Sequence, residues 1–228
     1  MGTVINVIAI LVGGTLGVLF RKRFPERMAQ TALQVMGLLS FVVGVGMAIQ
    51  GQELIMVAVS LALGAILGEW AKIEDRLERW FFRLEERFHL SEQSPAKGFI
   101  HASLLFCVGS MAIVGSITDG VRGDPSILVT KAMLDGIISI PFAAGMGIGV
   151  LGSAVPVLIY QGGLTLLASK LQSFFTPVMI RELTSVGGVI VMGIGINILG
   201  LQKVKVGNFL PSLLIIILIL CLRPLLHY

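Results

Sequence analysis

The chain has 228 residues, of which 55% are hydrophobic and only 13% charged, with 28 glycines and a formal net charge of +4. Soluble domains carry about 25% charged residues and disordered chains lack this apolar content, so the mean hydropathy of +0.94 excludes both. Eight spans of ~20 residues would nearly fill the chain and leave no room for a large soluble domain.

Eight apolar runs follow in chain order: Thr3 to Phe20, Ala29 to Gln50, Leu54 to Trp70, Phe99 to Thr118, Ser126 to Leu151, Ala154 to Leu171, Leu183 to Leu201 and Phe209 to Leu222. None alternates like a strand, and the lack of water in lipid forces each backbone into helix. The expected fold is an all-α polytopic transmembrane bundle of about eight segments. Its divisions are a three-span unit over 1–70, a cytoplasmic helix and linker over 71–98, central spans over 99–153 and a second three-span unit over 154–228. No basic residue precedes the first run, so it reads as a retained helix and not a secretory signal.

Lysines and arginines set the orientation. Arg21, Lys22, Arg23 and Arg27 follow the first run, six more lie between Lys72 and Lys97, and Lys203 and Lys205 follow the seventh. These loops share one side and carry twelve positive charges, against four on the other side (Arg122, Lys170, Arg181 and Arg223). The rich side should be cytoplasmic, placing both termini outside the inner membrane of a bacterium. The same loops explain the net charge without a nucleic-acid partner. From Trp70 to Leu90, Trp70, Ile73, Leu77, Trp80, Phe81, Leu84 and Phe88 recur at helical spacing opposite Arg and Glu, continuous with the third run. This amphipathic stretch would lie on anionic headgroups or pack on the protein itself.

Shifted by 149 residues, the chain overlays GVGMAIQG on GIGINILG and Gly13-Gly14 on Gly162-Gly163. The first three spans would then correspond to the last three in opposite orientation, an inverted repeat of the kind used by transporters. The competing explanation is chance among frequent glycines.

The fifth run holds the most informative residues. Lys131, Asp135 and Ser139 recur every fourth residue and share one helix face. Asp135 lies about 14 Å below a helix start at Ser126, near the middle of a ~30 Å core. A charge at that depth needs a partner or a cavity. Pairing with Lys131 alone would be packing; an ion, proton or substrate headgroup would make it a site, with Gln161 as a further ligand. Pro141 removes a helical N–H, and Gly136 and Gly145 flank it, so a kink or break is expected just past Asp135. Asp119 and Asp124, in the loop before the fifth run, would line an entrance or cap a turn. Asn6, Gln34, Gln161 and Asn197 are expected to hydrogen-bond between helices. Gly13/Gly17, Gly64/Gly68 and Gly145/Gly149 permit close helix contact, the surface a homo-oligomer would also use.

No cofactor, metal or catalytic residue is expected. Cys107 and Cys221 read as buried thiols, and His89, His101 and His227 are scattered. The GIGVLG at 147–152 ends an apolar helix instead of following a strand, so it is not a dinucleotide site. These residues point to secondary transport of an ion or small solute by rocking of the outer triplets around the fifth span. A non-transporting scaffold for lipid or a partner protein is the rival, with the charged pair as glue.

The opening MGTVINVIAILVGGTLG, the central CVGSMAIVGSITDG and the long KAMLDGIISIPFAAGMGIGVLGSAVPVLIYQG resemble a family of uncharacterised bacterial membrane proteins, typified by YqgA and YdfK, over essentially the whole chain. The resemblance implies a multi-pass membrane location and supplies no activity.

Overall fold

A computed structural model describes residues 1–21, 26–76, 79, 95–107 and 109–226. These are helical throughout, with no strand among the described residues. The helices are α1 (Gly2–Arg21), α2 (Glu26–Ala48), α3 (Leu54–Trp70), α4 (Pro95–Cys107), α5 (Ser110–Arg122), α6 (Ser126–Met146), the short α7 (Gly149–Gly152), α8 (Ala154–Leu166), the short α9 (Ala168–Leu171), α10 (Pro177–Ile198) and, after a 3-10 turn at Val206–Phe209, α11 (Leu210–Leu226).

By length and composition, four helical stretches are able to cross a membrane: Gly2–Arg21, Ser126–Met146, Gly149–Leu166 and Pro177–Ile198. Helices α4 and α5 together, bent by 58°, are a further candidate, the fourth in chain order counting the shorter apolar helices: a broken crossing or a re-entrant loop. Leu33–Ala48, Leu54–Trp70 and Val206–Leu222 are apolar but shorter. The protein is thus an all-helical membrane bundle: among the described residues four or five stretches have the length to cross, and three further apolar helices are shorter.

Three helix pairs dominate the packing: α1 with α6, α2 with α10 and α3 with α11. Glycine sets the first. A Cβ at Gly13 would collide with the Gly136 carbonyl, and one at Gly17 with the Ile140 carbonyl. Because both numbers rise together, α1 and α6 are parallel. In the third pair Gly64 lies on Ser212 and Gly68 on Asn208, so α3 and α11 are antiparallel. The glycine faces named above are therefore used within the chain, which removes them as a reason to infer an oligomer. Two apolar cores result. Ile10, Phe106, Phe142 and Val157 join α1, α4, α6 and α8, while Ile113, Val186, Ile190 and Ile216 join α5, α10 and α11.

Three expectations change. Helix α6 runs unbroken through Pro141, and its interruption comes at Gly147, where φ is 81°. The missing proline N–H costs one i→i−4 bond, which a membrane helix tolerates without breaking. Gly136 and Gly145 are contact points against Ala9 and Leu33, not a helix break. The bend falls instead in the fourth crossing, between Cys107 and Met111. Third, α3 does not continue into the amphipathic stretch. It stops at Trp70, and the chain turns through Lys72 at φ 50°. The loop before α11 holds that turn: Lys205 Nζ bonds Glu69 Oε1 at 2.8 Å, Glu74 N–H donates to Asn208 Oδ1 at 2.8 Å, and Gly207 N–H donates to Glu74 Oε2 at 2.9 Å. The Glu69 carboxylate raises the Lys205 pKa by hydrogen bonding. Most of the amphipathic stretch to Leu90, and the linker through Ser94, lie outside the described residues. The rest of that linker, Pro95 to Gly98, belongs to α4.

Candidate functional site

Helix α6 carries Lys131, Asp135 and Ser139 on one buried face. Side chains on a helix lean toward its N-terminus, so the Asp135 carboxylate rises to meet the Lys131 ammonium, which donates to Oδ2. Ser139 donates its hydroxyl to the Asp135 carbonyl at 2.6 Å. Parallel packing of α1 then delivers Asn6, whose Nδ2 donates to Asp135 Oδ2 at 3.0 Å and to Gln161 Oε1 at 3.1 Å. Gln161 comes from α8, which runs against α1: Thr3 faces Thr165, while Asn6 faces Gln161. Asn6 is 0% exposed and Gln161 1%. Asn6 Oδ1 and Gln161 Nε2, one acceptor and one donor, have no partner among the described residues.

The cluster sits higher than the count along α6 implies. Asp135 is nine residues into α6, but Asn6 is only four residues into α1, or about 6 Å at 1.5 Å per residue. Helix α6 overhangs α1, since Leu128 packs on Gly2. The carboxylate therefore lies in the half of the bundle nearer Met1 and not at mid-core.

Asp119 does not touch the pair. It accepts the Met1 ammonium at 3.0 Å and the Gly2 N–H at 2.9 Å. Between it and Asn6, the Thr3 and Thr165 hydroxyls approach to 3.5 Å. Polar groups thus follow one another from Asp119 through Thr3 and Thr165 to Asn6, Gln161 and Asp135. Past Asp135 the line ends at the Gly13–Gly136 and Gly17–Ile140 contacts, where backbones touch. Asp124 lies apart and accepts the Ser126 N–H at 3.0 Å as a turn residue; the Ser126 hydroxyl also holds its carboxyl below the usual carboxylate range.

The other intramembrane amides behave differently. Gln34 is exposed. Asn197 exchanges bonds with the Val204 backbone within one loop. Among the described residues no cluster of three metal-ligating side chains occurs, and His101 is a buried residue of α4. Of the two thiols, Cys107 is half-buried and Cys221 exposed.

Two features escape sequence reading. Glu182, 0% exposed, accepts the Gln52 N–H at 3.0 Å and the Glu53 N–H at 3.3 Å, closing the start of α3. Hydropathy starts the seventh apolar run at Leu183, whereas α10 begins at Pro177 and takes in Glu182. The second is a cavity of about 630 Å³ beside the α4–α5 bend, with Cys107 on its wall. Cys107 also lies within electrostatic range of Lys131 and Asp135.

The whole chain has relatives. An uncharacterised membrane protein of Bacillus subtilis (strain 168), YdfK, is 35% identical over 218 residues, covering 94% of this chain and 93% of its own. An uncharacterised protein of Escherichia coli (strain K12), YqgA, is 32% identical over 220 residues, 94% of each chain. No solved structure matches. Residues 1–221 match the family described as protein of unknown function DUF554, and with its apolar helices and full-length likeness to a membrane protein this chain belongs to that family.

Proposed function

We propose that the protein is a secondary carrier of an ion or small solute across the bacterial inner membrane, with both termini outside, and not an enzyme. Asp135 is the group that exchanges charge, and Lys131 is its resident counter-ion. Asn6, Gln161 and Ser139 orient the pair, and the line of polar groups from Asp119 is its access from the Met1 face. The observation that carries this reading is that line: side chains from α1 and α6 meet on one carboxylate, Gln161 of α8 joins through Asn6, and a buried acceptor and a buried donor there are left over. Polar groups in lipid are costly and are retained for ion or proton pathways. The closed glycine contacts below Asp135 make this an outward-facing half-path, and transport requires α1 and α6 to separate there. The opposite directions of α1 and α8 accord with the inverted-repeat scheme, in which the outer triplets rock around α6.

The test is flux in proteoliposomes. Asp135→Asn keeps the hydrogen bond from Asn6 and removes the charge, so the protein should fold and lose coupled uptake or efflux. Unaltered flux in that variant would remove Asp135 from the mechanism.

A second reading has one observation in its favour. Both charges are about nine-tenths buried and satisfy each other, as in a scaffold whose ion pair fixes helix packing. On that reading an apolar replacement of both residues leaves phenotype intact.

A further inference from the structure

The α3–α11 pair has an open groove at its charged end. The groove measures about 430 Å³, with Ala65, Ile66 and Phe209 on its apolar side and Glu69, Lys205 and Asn208 on its polar side. Its neighbours fix its level in the membrane. Lys72, Glu74, Asp75 and Arg76 follow α3, and Lys203 precedes Lys205; charges at that density belong among headgroups and not in hydrocarbon. Trp70 is 84% exposed at the same level, where aromatic side chains mark the interface. Below it Ile66, Leu63 and Val59 are exposed at helical spacing on one face of α3 and lead into the hydrocarbon. The ion pair at the head of that face is open to a ligand, with the Lys205 and Glu69 side chains 44% and 59% exposed. Lys205 gives one ammonium proton to Glu69 Oε1, and Asn208 Nδ2 donates to Oε2 at 2.6 Å. An ammonium has three donors and each carboxylate oxygen two lone pairs, so both partners keep bonding capacity. The surrounding field is mixed in sign: Asp75 and Glu74 act on Lys205, and Lys72 acts on Glu69. A purely anionic headgroup would meet the carboxylates and a purely cationic one the lysines, whereas a zwitterion matches both.

We propose that this groove binds one phospholipid whose phosphate is joined to a primary ammonium, as in phosphatidylethanolamine. The phosphate accepts from the Lys205 ammonium, the lipid ammonium donates to the Glu69 carboxylate, and the two dipoles lie antiparallel. One acyl chain follows Ile66, Leu63 and Val59 down α3. A quaternary ammonium has no proton for Glu69, and a glycerol headgroup has no cation for it, so the pair selects among lipids that carry the same chains. The groove shares no residue with the Lys131–Asp135 cluster, and the inference is independent of the carrier reading.

The full chain, purified in detergent and depleted of lipid, is heated with increasing dioleoylphosphatidylethanolamine, dioleoylphosphatidylcholine or dioleoylphosphatidylglycerol in the same detergent. The ethanolamine lipid should raise the unfolding temperature saturably, at a half-saturating concentration about threefold below the other two, the worth of one exposed charge pair. Glu69→Gln keeps the side-chain length and an acceptor for Asn208 but removes the charge, so the three lipids should become equivalent. Glu69→Lys sets two ammonium groups at the groove, and the preference should pass to phosphatidylglycerol. If Glu69→Lys does not fold, Glu69→Gln decides alone. Glycerophosphoethanolamine, the same headgroup without chains, should give no rise at matched concentration. The proposal is overturned if the wild type shows no rise, if the other two lipids act as strongly as the ethanolamine lipid, if either Glu69 variant keeps the ethanolamine preference, or if the chain-free headgroup matches the lipid.

Discussion

Replacing Lys131 by Met strips Asp135 of its ammonium partner while keeping the length of the side chain. The two side chains are 8% and 9% exposed, so little water screens either charge. Breaking such a pair costs ~3–5 kcal/mol, because the survivor is a buried charge without compensation. Here Asn6 still donates to Asp135 Oδ2 at 3.0 Å, which places the loss near the lower end, about 3 kcal/mol. At ~2–4 °C per kcal/mol for a chain of this size, the unfolding temperature in detergent should fall by roughly 6–12 °C. The double variant Lys131→Met, Asp135→Leu should recover most of that loss, since a buried pair and an apolar pair of similar volume are close in stability. Thermal unfolding of wild type, Lys131→Met, Asp135→Leu and the double variant completes the cycle. A drop below ~1 kcal/mol in Lys131→Met, the range of exposed pairs, would show that water reaches the carboxylate and that the pair is not the sealed one described.

Gly13→Val drives a branched side chain into the Gly136 carbonyl, and overpacking of this kind costs ~1–3 kcal/mol; a disulfide or spin-label distance between α1 and α6 should lengthen, and an unchanged distance at unchanged stability would refute the contact. Glu182→Ala leaves the Gln52 and Glu53 N–H groups without their carboxylate and should destabilise by ~1–3 kcal/mol, with hydrogen exchange rising first at the start of α3. Exchange that rises uniformly, or not at all, would count against that role.

What the sequence discloses is mostly local. Leu54 to Trp70 is found as a helix with the bounds expected of it, and α6 begins at Ser126 as read, because apolar length and flanking polar residues mark both. Lys131 and Asp135 are legible because a four-residue spacing on one helix brings them together whatever the rest of the chain does. Asn6 was one amide among several until α1 was placed parallel to α6, and no local pattern encodes that pairing. Hydropathy starts the seventh run at Leu183 and so leaves Glu182 outside it. The fourth crossing bends beside Gly109 without a proline, while Pro141, the stronger helix breaker, leaves α6 continuous. In both cases packing outweighs the local signal: α6 keeps its course where α1 lies against Gly136 and Ile140, and the gap beside the bend is one the surrounding helices do not fill.

The parallel pairing of α1 and α6 also constrains how the protein is made. Asn6 finds Asp135 and Gln161 at sequence separations of 129 and 155 residues. Helix α1 leaves the ribosome well before α6 and α8, so its amide has no native partner until those helices have been synthesised. Consecutive hairpins cannot supply that contact, so α1 must be held loosely during insertion and captured late by α6 and α8. Assembly of this bundle is therefore not a march from the N-terminus to the C-terminus, and truncation before α8 should leave the leading helix unlocked.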